Sequence, residues 1–209
     1  MVRDSVRLDR IILIVLAAAW VGIWGAWIPH PTVALTENAL DLAEWATFLN
    51  DVRYGGLRLM PELLRLGVAL AVVALAVAAG EIERWPLRWL IRLVVVIPGL
   101  VMLPPYPFVL NPIGSGYEWR MAAALVLWIG VGLTLVSDRL DREIRHWIAT
   151  GLSLLAVISG GWAYLALRGP FGAHYNHALR PGWGLLVYGL GLVAAIGLTV
   201  YQQVSAQRS

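Results

Sequence analysis

Residues 61–80 read PELLRLGVALAVVALAVAAG, and from Leu66 to Gly80 no side chain in this stretch can ionise. A helix rises 1.5 Å per residue, so about 20 such residues match the ~30 Å hydrocarbon core of a bilayer. The same signature recurs along the chain, and long apolar runs place candidate spans near 10–29, 61–80, 88–106, 120–137, 147–168 and 182–203. The third is the weakest. Its apolar core from Leu93 to Leu103 is short, contains Pro98 and runs into Pro104, Pro105 and Pro107, so a kinked or re-entrant course there would leave five full crossings.

Composition agrees. Apolar residues make up 59% of the 209, charged residues 14%, and the mean hydropathy is +0.72, against about 25% charged residues in a soluble domain. The expected fold is all-α: a polytopic membrane bundle of about six transmembrane helices, forming a single domain over residues 1–209, with one amphipathic helix at its outer surface. Arg3, Arg7 and Arg10 ahead of the first run resemble a secretory leader, but the run continues to Ile28 with no small-residue cleavage site before Trp27, so it reads as a retained span.

With the N-terminus inside, the inner segments hold Arg3, Arg7, Arg10, Arg84, Arg88, Arg92, Arg139, Arg142, Arg145 and Arg208, and the outer segments hold six Arg residues. That asymmetry places both termini in the cytoplasm, and the membrane is read as a prokaryotic cell membrane. All sixteen basic residues are Arg, a bias read as genomic composition. Their position at span ends argues against nucleic acid as a partner; the expected partners are the lipid bilayer and other membrane subunits. Trp27, Trp85, Trp89, Trp119, Trp147 and Trp183 flank the spans, where an indole anchors a helix at the headgroup level.

Helices associate in lipid through small residues that allow close approach. Ala18, Gly22 and Ala26 offer such a face on the first span, Gly67, Ala71, Ala74 and Ala78 on the second, Ala156 with Gly160 on the fifth, and Gly191, Ala195 and Thr199 on the sixth. The span cores contain no Asp, Glu, Arg or His. Charge inside a membrane is retained where it conducts, relays or ligates, so a proton-coupled pump, a midplane haem and a voltage sensor are disfavoured. Without cysteine there are no disulfides, thiolate metal sites or thiol nucleophiles.

Specific function is expected at the rims. In the loop from Pro29 to Met60, residues 37–52 are amphipathic, with Leu42, Trp45, Leu49 and Val52 on one side and Glu37, Asp41, Glu44 and Asp51 on another. Thr36 or Asn38 can cap the start and Gly55 with Gly56 can end it. This helix is read as a lid, a docking surface for another subunit, or a plain connector. Glu62 and Arg65, three residues apart at a span mouth, are expected to pair, with a ligand-binding role for Arg65 as the alternative.

No cofactor is expected apart from one option: His174 and His177, three apart, can share a metal ion at the outer face if His30 or Glu118 completes the set. Two ordinary loop histidines are the plainer reading. Ser115 lies between Gly114 and Gly116 without a base nearby, and no nucleotide-binding loop is present. The alternating Asp138, Arg139, Asp141, Arg142, Glu143 and Arg145 read as a solvated, salt-bridged face. The leading expectation is a non-catalytic integral membrane subunit that scaffolds a larger assembly. Second is the membrane component of a small-molecule transporter energised by another polypeptide, and third an outer-face metal-dependent enzyme.

Overall fold

The computed structural model describes residues 2–30, 36–176 and 178–207. Among these residues there are α-helices and turns but no strand: α1 Val2–Trp24, α2 Ala39–Ala46, α3 Asn50–Arg53, α4 Met60–Ala78, α5 Trp85–Val94, α6 Ile97–Val101, α7 Glu118–Ser137, α8 Arg142–Tyr175 and α9 Trp183–Gln207. Four helical segments are long and apolar enough to cross a membrane: Met60–Glu81, which extends α4 by a 3-10 turn, Glu118–Ser137, Arg142–Tyr175 and Trp183–Ser205.

The other two candidate spans take different forms. Helix α1 begins at Val2, so its first half carries Arg3, Asp4, Arg7, Asp9 and Arg10 ahead of the apolar run. The stretch 88–106 is not one helix. Pro98 has no N–H to give and its ring crowds the carbonyl four residues back, at Val94. Helix α5 ends at that residue and α6 restarts at Ile97. By contrast α8 runs through Gly169 and Pro170 to Tyr175, well past the expected 147–168, before Asn176 closes it in the left-handed conformation at φ 54°. Its 34 residues give a rod of about 51 Å.

Contacts fix the path of the chain. Asp9 on α1 accepts from Gln202 on α9 at 3.0 Å, so both termini lie at one end of the bundle, called here the near end. Arg92 on α5 reaches Asp138 at the near end of α7, while the carbonyls of Val101 and Met102, at the end of α6, accept from Arg120 at the far end of α7. The broken pair α5–α6 therefore runs the length of the bundle despite its gap at Val95 and Val96.

Helix α4 is the central post: 78% of its most apolar stretch is buried, against 28% for α7. It meets α8 where Gly67 lies against Gly160, so close that a β-carbon on Gly67 would fall 2.8 Å from the Gly160 nitrogen. Helices α1 and α9 meet as tightly at Gly22, whose β-carbon would fall 2.5 Å from the Tyr188 nitrogen. The small-residue faces are thus seams inside the bundle. Tyr188, fully buried, donates its hydroxyl to the Gly67 carbonyl at 2.9 Å and ties α9 to α4. The hydroxyls of Thr134, Ser153, Ser159 and Thr199 each donate to a carbonyl of their own helix.

Trp27 corrects the anchor reading. It has no exposed surface, donates Nε1–H to the Gly22 carbonyl at 3.0 Å and packs its ring against Tyr188 at 5.0 Å and Tyr164 at 6.4 Å. The chain turns at Gly25 and folds Trp27 back into the bundle instead of leaving it at the rim. Trp85, Trp89, Trp119, Trp147 and Trp183 are exposed, as anchors would be.

Candidate functional site

The expected helix over 37–52 divides into α2 and α3, broken at residues 47–49. Asn38 is the cap, its Oδ1 accepting from the Leu40 and Asp41 amides at 2.8 and 3.0 Å. Ala39, Leu42, Ala43 and Ala46 are fully buried and seat α2 in the bundle. The expected apolar side is not all buried: Leu42 and Val52 are, but Trp45, on the same helix as Leu42, is 52% exposed. Glu37 also leaves the acidic face. Its backbone pairs with Ile28, its side chain is buried, and that burial, with Asp41 nearby, pushes its carboxyl up to about 7.

Four charged residues lock α2 down. Arg65, 3% exposed, donates to Glu62 Oε1 at 2.6 Å, Glu44 Oε2 at 3.0 Å and the Ala43 carbonyl at 3.2 Å. Arg120 donates to the same Glu44 oxygen at 2.6 Å and to the Met102 carbonyl at 3.0 Å. The Glu62–Arg65 pair forms as expected, and Glu44 extends it into a junction of α2, α4, α6 and α7.

Beside this junction a pocket of about 640 Å³ opens between the α2–α3 break and the last two turns of α8. Trp45, Phe48 and Asp51 form one wall and Phe171, His174 and Tyr175 the other. Trp45 and Phe48 meet at 5.7 Å between ring centroids, and Phe171 and Tyr175 at 6.0 Å. Pro170 and Phe171 reach this height because α8 continues past the span. Volumes of roughly 300 to 1,000 Å³ with mostly apolar walls and a few polar groups are typical of small-molecule sites.

The near end holds a second charged assembly. Asp9, Glu81 and His146 bring donor atoms within 4.8 Å of one another, with His146 Nε2 at 3.5 Å from Asp9 and 3.8 Å from Glu81. Arg145 binds Glu81 at 2.8 Å and Arg142 binds Asp9. The two guanidiniums already balance the two carboxylates, so the arrangement reads as a clamp across α1, α4, α8 and α9, not as a cation site. Nearby, Arg92, 2% exposed, holds Asp138 through two bonds of 2.6 and 2.8 Å. Those bonds keep the Asp138 carboxyl below the usual aspartate range. The alternating charges from Asp138 to Arg145 therefore correct to partners on other helices: Arg142 and Arg145 reach α1 and the end of α4, while Asp138 reaches α5.

Of the metal-site residues, His174 lines the pocket, on helix α8 instead of a loop, and the His30 ring meets Tyr175 at 5.2 Å, tilted by 52°. His177 lies outside the described residues. Among the described residues neither His30 nor His174 belongs to a group of three donors within ligating distance. Glu62, Arg65, Glu44 and Asp41 meet at the far-end junction and its 120 Å³ recess, whereas Trp45 and Asp51 belong to the pocket and Glu37 lies behind it. Sequence reasoning missed Asp9, Glu81 and His146, although Asp9 stands out as an acid among the basic residues before the first run. Comparison with protein-family models, curated proteins and solved structures finds no match.

Proposed function

We propose that this chain is a six-pass integral membrane protein that binds a small molecule at its outer face, as the ligand-capturing component of a transport assembly. The observation that carries the reading is the 640 Å³ pocket, built from two elements some 120 residues apart in sequence and lined by aromatic rings with few polar groups. The six passes are α1, α4, the α5–α6 pair, α7, α8 and α9. Their support is the end-to-end reach of α5–α6 and the shared end of both termini. The excess of Arg among segments at the near end favours a cytoplasmic near end, which makes the far end, with its pocket, the outer one.

Two measurements test this. The chain has no cysteine, so single cysteines introduced at Ser205 and Ser115 report sidedness directly. Labelling of S205C from the cytoplasm and S115C from outside is expected, and the reverse overturns the orientation. For binding, the protein in nanodiscs is screened by thermal shift against a broad library of small amphipathic solutes. At least one is expected to raise the Tm in a manner abolished by Trp45→Ala; a flat response across the library overturns the pocket as a ligand site.

A second reading rests on α7, of whose most apolar stretch only 28% is buried, leaving Leu125, Ile129, Leu133 and Val136 on the outside of the bundle. That face suits lipid or a neighbouring helix, and it supports a non-catalytic subunit that scaffolds a larger membrane assembly. Such a subunit copurifies with a fixed partner after mild detergent extraction; a monodisperse monomer ends this reading.

A further inference from the structure

Among the described residues lining the pocket, Asp51 is the one acidic side chain. Glu44 and Glu62 are held by guanidiniums, but the exposed Asp51 forms no ion pair within 4 Å with any described residue, although Arg53 is two residues away. Arg53 instead lays its guanidinium over the ring of Phe48 at 5.4 Å from the centroid and donates Nε–H to the Thr47 carbonyl at 3.2 Å. Among the described residues, the pocket lining holds one carboxylate and no basic side chain besides His174, with the Arg53 guanidinium set beside it on Phe48.

Ring surfaces make up most of the rest, with Leu49, Asn50 and Pro170 completing the lining. Trp45, Phe48, Phe171 and Tyr175 present π systems whose faces are electronegative, and such faces attract ammonium groups, most of all those too substituted to be strongly hydrated. Arg53, just outside the lining, shows that attraction on the ring of Phe48. Rings alone accept any apolar body; a free carboxylate beside them selects by charge. Its neighbour behind Tyr175, the buried Glu37 carboxyl, adds no positive charge in either protonation state.

Resting on the ligand-capture reading, we propose that the pocket takes an amphipathic organic cation: an alkylated ammonium seated on the Trp45 and Tyr175 rings beside Asp51, with its apolar body against Phe171. The same chemistry is offered by a free soluble cation and by the choline headgroup of a lipid, because the pocket opens at the membrane rim.

The test uses the full chain in phosphatidylglycerol nanodiscs and three probes of similar size: benzyltrimethylammonium, benzyl alcohol and phenylacetate, each titrated calorimetrically. The cation is expected to bind at least about tenfold more tightly than the other two. Asp51→Asn should weaken the cation about tenfold and leave benzyl alcohol unchanged, while Trp45→Ala weakens both. Phenylacetate or benzyl alcohol binding as tightly as the cation, or an Asp51→Asn variant with unchanged cation affinity, overturns the cation assignment and leaves the ligand-capture reading standing. Absence of binding by all three at millimolar concentration overturns the assignment, and the library screen then decides the broader reading separately. In phosphatidylcholine nanodiscs, a fall in apparent affinity identifies the lipid headgroup as occupant, and an unchanged affinity identifies a soluble cation; either supports the class.

Discussion

At the near end of the bundle, carboxylates and guanidiniums close on one another: Arg92 with Asp138, Arg145 with Glu81, Arg142 with Asp9, and His146 between the two acids. At the far end the same residue types divide into a closed group, Arg65, Arg120, Glu44 and Glu62, and an open one, where Asp51 lines an aromatic pocket and pairs with no described guanidinium. A buried charge left without its partner costs several kcal/mol, whereas an exposed one in water costs little. Most of the paired charge here ties one helix to another, and Asp51 in the pocket lining belongs to no such tie among the described residues.

If that contrast is right, substitutions at the two ends separate by magnitude. The largest effect is expected from Asp138→Ala, which strands Arg92 at 2% exposure. Loss of a buried pair's partner costs about 3 kcal/mol, seen as a fall in Tm of roughly 6 to 12 °C in detergent. The same contribution is acid-labile in the wild type. The Asp138 carboxyl titrates lower folded than unfolded, so its stabilisation is complete above the ordinary aspartate pKa and is lost as pH falls through the lowered value.

Glu44→Gln comes next, at about 2 kcal/mol, because it removes the carboxylate shared by two guanidiniums while Arg65 keeps Glu62. Proteolysis within 47–59 should accelerate in this variant, since α2 loses its tie to α4 and α7; unchanged cleavage would argue against the junction.

Glu37→Gln is smaller and of opposite sign. A carboxyl raised to about 7 by burial favours the folded state while protonated, so wild-type stability is full below the ordinary Glu pKa and declines as pH rises through 7. The amide variant should melt with a flatter profile between pH 5 and 8 and gain on the order of 1 kcal/mol at the alkaline side. Equal pH dependence in both proteins would refute the assignment. Smallest is Asp51→Asn, expected within about 0.5 kcal/mol of wild type by thermal melt, as for a surface group outside any network. A large loss there would place Asp51 with the cohesive charges after all.

How much of this was legible in the sequence depends on distance along the chain. Gly67, Gly160 and Gly22 announced the seams because close packing in lipid needs small residues wherever helices cross, and Glu62–Arg65 and the Asn38 cap are local enough to read directly. Asp9, Glu81 and His146 are separated by more than 60 residues at each step, and no pattern within a helix signals that three helix ends converge. The α2–α3 break was hidden because the 37–52 periodicity is continuous, yet tertiary burial of Leu42 and Val52 left Trp45 outward. Trp27 was misplaced for a related reason: an indole after an apolar run suits both a membrane rim and a buried turn, and only the fold chooses. The pocket joins Trp45 to Phe171, so it existed in no single segment.

Helix α8 begins beside the His146 clamp and ends in the pocket wall, with about 37 Å of continuous helix between His146 and Phe171. One piece therefore serves both as a strut rooted among the near-end charges and as a jamb of the far-end doorway. Unless it flexes at Gly169 and Pro170, any tilt that widens the doorway must swing the root as well, so the shape of the opening on one side of the protein is tied to the leverage of a single rod on the other.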